Sequence, residues 1–134
     1  MIVLDEQLLG RKIDEAIAKW YQGPVLFVTE LRLGTIIKDD VIPQLLRLQR
    51  NPTFVTINVS DFWQKVTIDP RFSVVCFPIN DAEVPNIPIM LKQLFRAKRF
   101  RTKSQRSGRV FRVRLDGVVQ FYEYDDEQLR EFIL

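Results

Sequence analysis

Three acidic groups in the first half of this 134-residue chain could act together: Asp5-Glu6, Asp39-Asp40 and Asp61. Acids crowded together repel one another, so such groups make chemical sense around a hard divalent cation. Mg²⁺ takes oxygen ligands from one or two carboxylates and keeps several of its waters. Mg²⁺ or Mn²⁺ held in this way activates a water and steadies charge developing on a phosphate. The same acids also read as helix caps, which accept orphan N–H groups and oppose the helix dipole for ~0.5–2 kcal/mol each. Spacing alone leaves both readings standing.

Composition removes most other chemistry. The chain has no histidine and one cysteine, Cys76. Ser-His-Asp and Cys-His nucleophile systems are therefore excluded, as are His/Cys zinc sites. Cys76, flanked by Val75 and Phe77, reads as an inert buried thiol, and a lone cysteine fits a reducing, cytoplasmic compartment. Five glycines form neither a phosphate-binding loop nor a dinucleotide fingerprint. No apolar run reaches the ~18–20 residues of a membrane span, and the first residues lack a basic leader.

The elements that would position the acids follow from periodicity. Ile2-Val3-Leu4 reads as a buried strand ending at Asp5. Leu8, Leu9, Ile13, Ile17 and Trp20 recur at helical spacing, predicting a helix over 6–21 that stops at Gly23-Pro24. Val25 to Val28 is a second strand, followed by a loop through Leu33-Gly34. A helix from Val41 to Leu48 tolerates Pro43 in its first turn. Thr53 to Val59 is a third strand, and Ser60-Asp61 cap a short turn carrying Phe62 and Trp63. Phe72 to Phe77 is a fourth strand, and a helix over 89–98 follows. This alternation predicts one domain over 1–134, a three-layer α/β/α fold with a mainly parallel central sheet. Residues 1–91 form its core. In an open α/β sheet, ligands bind beyond the carboxyl ends of the strands, where all three acidic groups fall.

Residues 92–134 differ in character. Ten Lys and Arg and no acids lie between Lys92 and Arg114, which leaves a net −7 elsewhere in a chain of net +3. Lys98, Arg99, Arg101, Lys103, Arg106, Arg112 and Arg114 are candidate phosphate contacts, with Phe95, Phe100 and Phe111 available for base stacking. The alternatives are a solvated face and a dock for an acidic protein. Thr102 to Gly108 lacks apolar residues and reads as a loop. Arg109–Leu115 and Val118–Tyr124 form a C-terminal β-hairpin around a two-residue Asp116-Gly117 turn. That turn would put Phe111, Val113, Leu115, Val118 and Tyr122 on one face, with Arg112, Arg114 and Val119 on the other. The acidic end, 125–134, reads as a terminal helix.

The opening strand ending in Asp5-Glu6, Asp39 three residues before Ile42, and Phe54-Val55-Thr56 followed by Asp61-Phe62 together resemble the PIN-like domain family. The resemblance covers about residues 1–65 and is closest to the branch that opens with a strand and Asp-Glu. It implies a metal-dependent endoribonuclease, in many members the toxin of a toxin–antitoxin pair, acting on RNA with Mg²⁺ or Mn²⁺. By that resemblance Asp5, Asp39 and Asp61 are catalytic, metal-holding carboxylates, Glu6 and Asp40 assist, and Thr56 orients a ligand or water. The family's third motif reads Thr-x-Asp-x-Asp-Phe, whereas this chain has Thr56-Ile57-Asn58-Val59-Ser60-Asp61-Phe62. Asn58 stands for an aspartate, and one extra residue precedes Asp61. The alternative these departures raise is a catalytically silent PIN-like module that binds RNA or an acidic, antitoxin-like protein through the basic segment. A homodimer is a further assembly left open.

Overall fold

A computed structural model describes residues 1–32 and 37–134; the loop expected at Leu33-Gly34 lies outside the described residues. Seven strands form one sheet in the order β2-β1-β3-β4-β5-β6-β7. These are β1 (Ile2–Leu4), β2 (Val25–Phe27), β3 (Thr53–Thr56), β4 (Ser73–Cys76), β5 (Arg109–Val113), β6 (Val118–Glu123) and β7 (Asp126–Ile133). β1 to β5 are parallel, while β6 and β7 run antiparallel to their neighbours. The central strands are buried on both faces, and their unbroken apolar runs reflect it.

Helices cover both faces. On one side α1 (Ile13–Ala18) and α4 (Ile87–Arg96) bury Ile13, Ile17, Ile87, Leu91 and Leu94 against Leu4, Val55, Val75 and Phe111. On the other, α2 (Ile42–Arg47) and α3 (Val59–Phe62) bury Ile42, Leu46 and Phe62 against Val3, Phe54 and Val74. The expected α/β/α architecture with a C-terminal hairpin is therefore present.

Several elements differ from expectation, each for a local reason. The helix expected over 6–21 is a 3₁₀ turn at Glu6–Leu8 and then α1, divided where Gly10 and Lys12 take positive φ of 77° and 60°. β3 ends at Thr56, because the Thr56 hydroxyl accepts from Asn58 N and turns the chain out of the sheet. The stretch expected as a loop, 102–108, contains α5 (Lys103–Arg106), started by reciprocal Thr102–Gln105 capping bonds. The expected terminal helix is instead β7. Its Phe132 packs on Phe100 and Phe121, and its backbone pairs with β6, which outweighs the local pattern.

The hairpin register also shifts. Arg114 N bonds to Val118 O, so the connection is Leu115-Asp116-Gly117, with Gly117 at φ 89°. Val113 then faces Val119 and Phe111 faces Phe121, not Tyr122. One residue more in the loop moves β6 by one position and exchanges its faces. Val119 and Phe121 therefore join Phe111 and Val113, while Tyr122 packs with Val110 on the opposite face.

Candidate functional site: an acidic cleft at the switch point

The strand following β1 lies on one side of it and β3 on the other, so the crevice beyond the carboxyl ends of β1 and β3 is the sheet's topological switch point. Asp5 follows β1 directly and is 3% exposed. Its Oδ1 accepts from Glu6 N at 2.8 Å and its Oδ2 from Thr56 Oγ1 at 2.6 Å. Burial pushes the Asp5 carboxyl above its ordinary range, and the bonds from Thr56 and Glu6 pull it back. Asp5 does cap the 3₁₀ turn at Glu6–Leu8.

The other two acids are not caps. The N-cap of α2 is Val41, and that of α3 is Asn58, neither making a side-chain capping bond. Asp39 lies in the turn two residues before the N-cap of α2, and Asp61 lies inside α3. Ser60 likewise lies inside α3 and does not cap it. The Asn58 side-chain amide joins the two carboxylates, donating from Nδ2 to Asp39 Oδ2 at 2.9 Å and to Asp61 Oδ2 at 2.7 Å. Partial burial, a hydrogen bond with Asp61 and the charges of Asp5, Asp61 and Glu6 push Asp39 up to about 6. Asp61, fully exposed, is held low by Asn58, by Asp39 and by the Lys65 ammonium.

These groups open into a cleft of about 760 Å³ lined by Glu6, Asp39, Asp40 and Asp61 together with Lys38 and Lys65. The charges of Asp5, Asp61 and Glu6 thus reach Asp39, although Asp5 is turned inward to Thr56. Among the described residues, no three acidic or thiol side chains are gathered as ligands of a single ion. A pair with water completing the shell is nonetheless what Mg²⁺ commonly accepts. Asp39 and Asp61 are such a pair, while Asn58 turns its Nδ2 toward them and its Oδ1 toward Ser60 Oγ, from which it accepts at 3.2 Å. Neither lysine belongs to the basic run of residues 92–114, but spacing ties both to the acids: Lys38 adjoins Asp39, and Lys65 lies four residues after Asp61.

The basic segment is elsewhere. α4 carries the chain from the carboxyl end of β4 back to the amino end of β5, on the face opposite α2 and α3. Burial, and after it the nearby charges of Lys103 and Arg106, depress the Met1 amine to about 6. Both residues therefore sit by the amino ends of the strands, away from Asp5. Arg106 leaves the set of surface contacts altogether: it is 5% exposed, donates to Phe100 O at 3.0 Å and stacks over Phe95 at 3.8 Å. Phe95, Phe100 and Phe111 are buried, so they offer no ring to a base. Arg112 bonds to Gln120 and Arg114 to Asp116. Both lie toward the carboxyl end of β5, the same sheet edge as the acids. Lys98, Arg99 and Arg101 are exposed.

An α/β sheet with a carboxylate cleft at its switch point is what fold and site define. No family model, curated protein or solved structure matches the chain. None of the helices among the described residues is long and apolar enough to cross a membrane.

Proposed function

We propose that the chain is a Mg²⁺- or Mn²⁺-dependent endoribonuclease of the PIN-like kind, with its cleft at the β1/β3 switch point. The observation that carries this reading is the Asp39–Asn58–Asp61 arrangement. Two carboxylates that cap no helix share one amide, beside two further acids, in a cleft also lined by two lysines. Burial first, and then the neighbouring carboxylates, make ionisation of Asp39 unfavourable, and a bound cation would relieve both. Asp39 and Asp61 would hold the cation, and the Asn58 amide, whose Nδ2 faces them, would turn over to offer its oxygen. When bound, the cation supplies charge neutralisation at a phosphodiester and an activated water. Lys38 and Lys65 would hold phosphate oxygens at the cleft wall. Asp5, fixed by Thr56, places a further carboxyl behind the pair. The toxin role rests on the resemblance alone.

A second reading, a catalytically silent module, is favoured by one specific observation. The Asn58 amide already compensates both carboxylates, as a cation would. Calorimetric titration of Mn²⁺ into wild type and Asp61→Asn, followed by cleavage of end-labelled RNA with and without chelator, separates the two. The nuclease reading expects saturable binding that the variant loses and cleavage that the chelator stops. No binding at millimolar metal, even with RNA present, overturns it in favour of the silent module.

A further inference from the structure

A second surface lies on the opposite layer from the acidic cleft, where the end of α4 and the turn after it meet the end of β7. Ala97, Phe132, Ile133 and Leu134 form an apolar groove of about 510 Å³, rimmed by Arg96, Lys98 and Arg99. Ile133 is 75% exposed and continues the apolar floor to the surface. The Arg99 guanidinium rests over the Phe121 and Phe100 rings at 5.2 and 5.5 Å. That contact holds its planar donor fork in place and leaves it without a carboxylate. Among the described residues, none of Arg96, Lys98, Arg99, Arg101 and Lys103 takes part in an ion pair, although the chain's other exposed arginines repeatedly do.

We infer that this groove docks an acidic protein segment whose Leu, Ile or Phe side chains enter it while flanking Asp or Glu residues meet the three cations. Charge complementarity sets the sign of the partner, and the apolar floor sets the need for anchors. Single-stranded RNA would match the charge. However, Phe95, Phe100, Phe111 and Phe121 are interior, and the half-buried Phe132 packs tilted on Phe100 and edge-on to Phe121, so the groove offers no free ring platform. Burying aliphatic anchors under a rim of charge-assisted bonds is the pattern of a peptide site. The inference is independent of the nuclease reading, because the groove shares no residue with the acidic cleft.

A random 12-residue peptide library displayed on phage, selected on the intact chain and counter-selected on Ile133→Glu, reads the preferred chemistry directly. Enriched sequences should carry acids on both sides of an apolar anchor. A synthetic peptide of that sequence, followed by fluorescence anisotropy, should bind at least tenfold more weakly to Ile133→Glu and to Arg96→Glu/Lys98→Glu. All three positions are at the surface, and unchanged circular-dichroism melts and Mn²⁺ titrations would show that fold and cleft are intact. No enrichment over the counter-selected variant, or enrichment of neutral or basic sequences, overturns the inference. So does a 12-nucleotide single-stranded RNA that binds through the same cations while the peptide does not.

Discussion

Thr56 Oγ1 donates to Asp5 Oδ2 at 2.6 Å, tying the ends of two neighbouring parallel strands together at the switch point. The same oxygen accepts from Asn58 N at 2.9 Å, so one hydroxyl fixes Asp5 and begins the turn that delivers Asn58 to Asp39 and Asp61. The site's geometry therefore depends on a side chain that bears no charge.

Replacing Thr56 by Val keeps the shape but leaves a buried carboxylate oxygen and a backbone N–H without this partner. The expected cost is about 1–3 kcal/mol. Thr56→Ser, which keeps the oxygen, should lose less than half of that. Urea unfolding midpoints of the three proteins check this, and equal losses in Val and Ser would contradict it.

Stability should respond to pH through Asp39. Its carboxyl is pushed from 3.8 up to about 6 in the folded chain, so between those values the folded state binds a proton that the unfolded state has released. This contribution is complete below about 4 and disappears as pH rises through about 6. Asp61, shifted the opposite way, loses its own contribution only at lower pH. The difference in melting temperature between Asp39→Asn and wild type should therefore move in the variant's favour as pH rises from 4.5 to 7.5. A difference that stays flat across that range would refute the assignment.

Asn58→Asp replaces the shared donor with a third carboxylate between Asp39 and Asp61. Without divalent metal, the variant should melt several degrees below wild type, because like charges then face one another. Adding about 5 mM Mn²⁺ should raise its melting temperature more than it raises that of wild type, through preferential binding to the folded state. No metal-dependent rise in the variant would remove the cleft as a cation site.

Gly108 is held at φ 82° between two backbone bonds, its N to Phe72 O and its O from Tyr124 N. An added Cβ would lie 2.5 Å from Tyr124 Cδ1, on a half-exposed ring able to move aside. The backbone conformation remains unfavourable after the ring moves, so Gly108→Ala should cost about 1–2 kcal/mol. Differential scanning calorimetry of the purified variant measures it. A loss below about 0.3 kcal/mol would show that the strand entry at β5 relaxes.

The sequence by itself determined what local periodicity and composition control. Alternating apolar runs and amphipathic stretches defined β1 through β4 and the helices between them, hence the layered fold. The absence of histidine and the single cysteine narrowed the chemistry to carboxylates and cations. The three acidic groups were legible for the same reason, since Asp5 and Asp61 follow strands that the pattern marks and Asp39 precedes a helix that it marks.

What only the tertiary structure decided involves partners distant in sequence. Spacing could not distinguish a cap from a free acid, because Asp39 and Asp61 are separated from Asp5 by tens of residues and meet only through strand order. Charge density could not say that Lys103 and Arg106 lie at the amino ends of the strands, since α4 reverses the chain direction before they are reached. Nor could it show that Arg106 is buried on Phe95. The hairpin register turned on one backbone bond, Arg114 N to Val118 O, and β7 on the packing of Phe132 against Phe100 and Phe121. In each case a long-range contact outweighs the local preference, because the apolar area and backbone bonds it secures exceed the fraction of a kcal/mol that local propensity carries.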